Sequence, residues 1–200
     1  MHDIEAGREI TISYMSGISP GYEERQRHLM NTSSFVCACE LCSLPLPARA
    51  SSDNRLEQIR SIDEDEGAAT ELDQILEHPL ESFSQLRRLF KLLEEEGICD
   101  IRIVRAYFNA FQIAAVVGDK ARAKVFAERA YSARKVLTGD DHPRTLGFKH
   151  LARKPVDYHL YGARIKCYDD SWEAPRGISG EELENWLWNA DGWSKHSWET

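Results

Sequence analysis

Three cysteines, Cys37, Cys39 and Cys42, fall within six residues in the run Phe35-Val36-Cys37-Ala38-Cys39-Glu40-Leu41-Cys42. Thiolates spaced C-x-C-x-x-C can reach one ion from a single tight turn, and zinc takes four such soft ligands in a tetrahedron. The chain has five cysteines, an odd number, and the N-terminal Met1-His2-Asp3-Ile4-Glu5 lacks the basic flank and apolar stretch of an export signal. Tight clustering in that context favours metal binding in a reducing, intracellular setting, nuclear or cytoplasmic, over disulfides. Buried core cysteines are the competing reading. Cys99 and Cys167 lie far away in helical and tail contexts, and His28 falls on an exposed helix face, so one ligand position is left open. Two aromatic residues flank the cluster. Tyr14 closes the alternating stretch Glu9-Ile10-Thr11-Ile12-Ser13-Tyr14, and Phe35 stands two residues before Cys37. By pattern alone both are packed rings.

These residues need elements to hold them. Ile10, Ile12 and Tyr14 against Thr11 and Ser13 read as a β-strand. It has no convincing partner in the first hundred residues, which predicts that its fold began upstream and that the chain is a fragment or a truncated gene model. Pro20 opens a helix that fades in Asn31 to Ser34. Helices are then predicted from Ser52 to Asp65, from Pro79 to Gly97 and from Asp100 to Gly118. Two more run from Asp119 to Gly139 and from His142-Pro143 onward, with Asp100 and Asp119 as N-caps. Tyr107, Ala110 and Ala114, followed by Gly118-Asp119, Ala123 and Ala130, fit a tetratricopeptide-like antiparallel hairpin or a generic helix pair. Four of the five tryptophans crowd into Trp186, Trp188, Trp193 and Trp198. Ser179 and Glu182 form a capping-box pattern there. The expected organisation is residues 1–15, 16–48 (cysteine-rich), 52–153 (helical) and 154–200 (a Trp-rich tail, irregular or packed).

Composition removes other classes. The 200 residues carry 25 Lys and Arg against 33 Asp and Glu, a net charge of −8. An acidic balance opposes broad binding to nucleic acid or anionic membrane. No apolar run approaches the length of a membrane-spanning helix. No phosphate loop, nucleophile elbow or H-E-x-x-H pair occurs.

Asp3-Ile4-Glu5-Ala6-Gly7-Arg8-Glu9-Ile10-Thr11-Ile12-Ser13-Tyr14 resembles the closing motif of SET domains, D-I-x-x-G-E-E-I-T-I-S-Y, with Arg8 where that motif has Glu. Pro20 to Cys42 is similar to the post-SET segment that follows it. The stretch from Leu41 to Asp63 is most similar to fungal-type SET proteins related to the SMYD group. The resemblance implies a mainly α chain: the remnant of a SET β-fold, a post-SET cysteine segment, then antiparallel helical hairpins.

It implies a protein lysine methyltransferase that uses S-adenosylmethionine and acts on a histone or non-histone lysine. Tyr14 would be the active-site tyrosine and part of the cofactor site. Phe35 would cover the cofactor's adenine. Cys37, Cys39 and Cys42 would be three of four zinc ligands, with the fourth from an N-H-S-C type motif. That motif and the Gly-rich cofactor strand are absent from the sequence, so the chain alone is expected to be inactive. The helical region would offer a surface to a protein partner. Two rival readings stand beside this one: a helical protein-interaction module with a structural zinc knuckle, and a small zinc domain unrelated to methylation.

Overall fold

The computed structural model describes residues 5–7, 14–15, 21–69, 72–164, 173–190 and 193, with residues 63–69 in backbone only. Their regular elements are helices, in the order α1 (Tyr22–Ser33), α2 (Leu46–Ala69), α3 (Leu72–Glu77), α4 (Pro79–Glu95), α5 (Ile101–Val116), α6 (Lys120–Thr138) and α7 (Pro143–Arg153). A 3₁₀ turn (Pro155–Asp157) and α8 (Gly180–Leu187) follow. Among the described residues no helix is long and apolar enough to cross a membrane.

The mainly α expectation fits, but the expected remnant of a SET β-fold is corrected. Among the described residues there is no strand and no sheet. Ala6 and Gly7 form a turn, and Tyr14 lies at a bend. Ile10 and Ile12, the other inward positions of the expected strand, lie outside the described residues. The physical reason is pairing. A strand needs a neighbour for its N–H and C=O groups, and the nearest described segments offer no ladder: Tyr22–Ser33 is helix and 34–45 is loop and turn.

Local chemistry explains where the helices begin and end. The Asp100 carboxylate accepts the Arg102 N–H at 2.9 Å and starts α5, and Asp119 accepts the Arg122 N–H at 2.9 Å and starts α6. Between them α5 stops at Gly118, whose φ of 79° is a left-handed conformation that a side chain would strain. There the Asp119 N–H returns to the Ala114 carbonyl at 2.9 Å, which closes the last turn of α5. So short a turn makes α5 and α6 antiparallel neighbours. Ala110, Ala114, Ala123 and Ala130 are fully buried where these helices pack, since small side chains let helix axes approach closely.

The largest aromatic cluster lies on α4, around Phe83. Its ring centroid is 6.0 Å from Phe126 of α6, 5.5 Å from Trp188 and 4.6 Å from Trp193. Trp188 also packs on Phe90 at 4.9 Å and on Phe126 at 5.0 Å. Trp188 and Trp193 therefore fill the space between α4 and α6 and are part of the core. Offset and edge-on rings at these separations add to the burial of large apolar area. Polar bonds fix the docking of α8: Arg129 forks onto Glu184, and Arg122 donates to the Trp186 carbonyl from Nε at 3.2 Å and from Nη2 at 3.0 Å. Upstream, Gly162 N–H and Arg164 N–H donate to the Ala115 and Val116 carbonyls at 2.8 and 3.2 Å. Those are carbonyls of the last turn of α5, where the Ala115 oxygen also accepts the Gly118 N–H at 3.0 Å.

Candidate metal centre

Cys37, Cys39 and Cys42 come from the turn between α1 and α2. Their sulfur atoms all lie within 4.8 Å of one another. Zinc binds thiolate at about 2.3 Å, which puts tetrahedral S···S edges near ~3.8 Å. Closing on an ion therefore needs only thiol rotations and a contraction of about 1 Å, so the donor set fits zinc. Cys42 is buried, Cys37 half-buried and Cys39 exposed, so a fourth ligand has an approach from the open side of the turn.

The turn is held from both ends. In α1 the Gln26 side chain clamps the Cys37 backbone: its Nε2 donates to the Cys37 carbonyl and its Oε1 accepts the Cys37 N–H, both at 2.9 Å. Farther along, the Ser43 N–H donates to the Cys39 carbonyl at 2.9 Å and the Ser43 hydroxyl to the Ala38 carbonyl at 3.0 Å. The helix itself is fastened to α2 through Asp53, which accepts the Tyr22 N–H at 2.8 Å and faces the Arg25 guanidinium at 3.5 Å.

Cys39 and Cys42 do not share a common acidity. Burial opposes ionisation of Cys39, but the Cys42 N–H and the thiols of Cys37 and Cys42 turn toward it, and its pKa falls below the usual thiol value. Burial pushes the Cys42 thiol up to about 11; a hydrogen bond from Arg25 pulls the other way without overcoming it, and Cys39 adds to the rise. The charged form is therefore less disfavoured at Cys39 than at Cys42, whose proton a metal cation would have to displace.

Tyr14 and Phe35 come together as an edge-to-face pair with centroids 5.2 Å apart. Tyr14 is nonetheless 61% exposed. Two aromatic faces do not make a nucleoside pocket, because they offer no arrangement of polar groups to fix a ribose or an amino-acid moiety. The described residues thus fit zinc, and toward S-adenosylmethionine they offer only these two aromatic faces. His28 and Cys99 are exposed and stand outside the thiol cluster. Cys167 lies outside the described residues.

Sequence reasoning missed Arg25, Gln26 and Asp53. One signal was available: Arg25 and Leu29, four apart on α1, are its two buried residues, so an arginine occupies the inward stripe where an apolar residue belongs.

Fold and site together define an α-helical protein that carries a three-thiolate knuckle ahead of its main core. Over 161 residues the chain is 27% identical to a Schizosaccharomyces pombe protein named Histone-lysine N-methyltransferase set5. The match covers 80% of this chain and 49% of that protein, so the chain spans about half the length of the relative it matches. The similarity supports a relationship to SET-type lysine methyltransferases. No family model and no solved structure matches the chain.

Proposed function

We propose that the chain is the cysteine-rich and helical portion of a protein lysine methyltransferase of the SET type, one that uses S-adenosylmethionine. The observation that carries this reading is the convergence of Cys37, Cys39 and Cys42 just after the Tyr14–Phe35 pair, in a chain similar to a named histone-lysine methyltransferase. Cys37, Cys39 and Cys42 are three zinc ligands, and the fourth comes from outside their turn. Tyr14 and Phe35 are aromatic walls, at the reacting lysine and at the cofactor's adenine. An aromatic face suits a cationic sulfonium, and a phenol can orient an amine. The substrate is a lysine side chain of a protein.

The 200 residues contain no N-H-x-C motif, and this chain alone is catalytically inactive. Purified chain should hold one zinc by elemental analysis and lose it in Cys39→Ser, yet transfer no labelled methyl group to a histone mixture. Zinc-free wild-type chain refutes the metal assignment, and clear turnover refutes inactivity.

A second reading keeps the knuckle as a purely structural device on a helical protein-interaction module. It is favoured by how firmly the knuckle is fastened to α2 through Asp53. Retention of a partner by the full chain after Cys39→Ser would support it.

A further inference from the structure

Helix α7 turns one side inward and leaves the other in solvent. Thr145 and Ala152 are buried, and Phe148 stacks on Phe108 of α5 with centroids 4.8 Å apart. On the opposite side Leu146, Gly147, His150, Arg153 and Lys154 are exposed. Their spacing, i, i+4, i+7 from Leu146 and i, i+3, i+7 from Gly147, places them on one face. Leu146 is 48% exposed, and Val156 in the 3₁₀ turn that follows is 45% exposed. Gly147 is the residue that the chain's own packing does not explain. Glycine inside a helix is destabilising relative to alanine. Here it sits in ordinary helical backbone, and a Cβ at that position would meet nothing within 4 Å. A missing side chain does serve a second helix, whose backbone can then approach α7 closely. The charge of this face is also distinct. From Pro143 to Lys154 the sequence has no carboxylate, in a chain of net charge −8. Lys149 is engaged by Asp140 at 3.2 Å and His150 by Asp157 at 2.9 Å. Arg153 and Lys154 meet no carboxylate among the described residues.

We infer that the outer face of α7 is the docking surface for an acidic amphipathic helix of a partner protein. Leu146 and Val156 meet its apolar stripe, Gly147 admits its backbone, and Arg153 and Lys154 pair with its carboxylates. The hydrogen-bonding groups of α7 are committed within the helix, so the face recognises by side chains at helical spacing, not by strand addition. A second copy is disfavoured, because symmetric pairing would set Arg153 and Lys154 against like charges. The net charge of −8 opposes a nucleic acid, which also has no use for two exposed aliphatic side chains. The inference rests on the reading of the helices as an interaction module, to which it gives a surface and a partner class, and it is independent of zinc.

The test titrates the full chain into a fluorescein-labelled helical peptide of about five turns, with leucines on one face and glutamates on the other, and follows anisotropy. A scrambled peptide of the same composition and a short DNA duplex are the comparisons. The designed peptide should bind about 10-fold tighter than the scramble, and more weakly as salt rises. Leu146→Ser and Arg153→Glu should each weaken it about 10-fold, as loss of an apolar anchor or reversal of a paired charge does. Gly147→Ala should raise Tm yet weaken the peptide, a split that a purely structural glycine would not produce. All three positions are exposed, and circular dichroism confirms that the variants fold. No binding of the designed peptide, equal binding of the scramble or the duplex, or variants that bind like wild type overturns the assignment. So does a Leu146-dependent dimer in sedimentation, which would give the face to a second copy. A chain that ignores the peptide but keeps a partner after Cys39→Ser loses this surface, while the module reading stands.

Discussion

Replacing Asp119 with alanine should destabilise the protein well beyond the loss of an ordinary cap. Asp119 lies in the α5–α6 turn with its side chain 10% exposed. One carboxylate oxygen accepts the Arg122 N–H at 2.9 Å and caps α6. The other accepts the Trp193 indole N–H at 2.8 Å and pairs with Arg122 Nη1 at 2.6 Å. Losing the cap costs about 1 kcal/mol. Leaving an indole N–H unpaired on a residue only 2% exposed costs about 1–3 kcal/mol more. Arg122 keeps the Trp186 carbonyl, so its share of the loss is small. The sum is about 2–4 kcal/mol, out of the ~5–15 kcal/mol that such domains hold. For a chain of this size that is a fall of roughly 5–15 °C in Tm. Urea unfolding followed by tryptophan emission measures it, because Trp188 and Trp193 sit in the core that opens. A double-mutant cycle with Trp193→Phe isolates the indole bond, and the two positions should couple by about 1 kcal/mol or more. A loss below about 0.5 kcal/mol, or additive single effects, would refute the claim that this turn anchors the C-terminal segment.

Two further perturbations probe the hairpin. Ala114 is fully buried between helices, so Ala114→Leu forces extra volume into a packed crossing and should cost about 1–3 kcal/mol in denaturant unfolding; an unchanged midpoint would mean the crossing has slack. Asp100 gives a pH dependence of definite sign. Burial raises its pKa, but hydrogen bonds from the Arg102 side chain and N–H, with the charges of Arg102 and Arg105, outweigh that and hold it below 3.8. A depressed folded pKa means the stabilisation is complete above the unfolded value and disappears as pH falls through the folded one. The stability gap between wild type and Asp100→Asn should be flat above about pH 5 and close in more acid solution. It should stay near ~1 kcal/mol or less, because the carboxylate is half exposed and asparagine still caps. A gap that widens in acid would contradict the assignment.

What could be read from the residues alone was the punctuation. Asp100, Asp119 and the Ser179–Glu182 capping box act on N–H groups two or three residues away, and all three caps form. Local grammar failed where a side chain is spent far off in sequence. Ser52 looks like a helix start, yet α2 begins at Leu46 with Pro47 in its first turn, where proline is tolerated. The Ser52 hydroxyl donates instead to Glu96, 44 residues on, at 2.6 Å. The tail tryptophans were legible as a cluster, but the burial of Trp188 and Trp193 was not, because what buries them lies on α4 and α6. At the knuckle, the ligand spacing was visible and its support was not. The Gln26 clamp and the Asp53 anchor are contacts across 11 and 31 residues, and no periodicity encodes them.

The kind of contact that holds each part indicates its task. The main core is apolar and aromatic, and none of its buried members comes from α1. Leu29, the buried leucine of α1, lies outside that cluster. The knuckle helix is instead tied down by directional bonds. Asp53 takes the Tyr22 N–H and faces Arg25, and Arg49 stacks over the Tyr22 ring at 3.8 Å. Ser52 and Arg55, from the same stretch of α2, converge on Glu96 at the end of α4. Apolar burial is indifferent to small rotations, whereas hydrogen bonds and ion pairs fix an angle. A metal site needs the angle, since its ligands must arrive in a set geometry. The polar chain from Glu96 through α2 to Asp53, Arg25 and Gln26 is therefore the element that aims the three thiols, and the aromatic core is the rigid body against which it aims them.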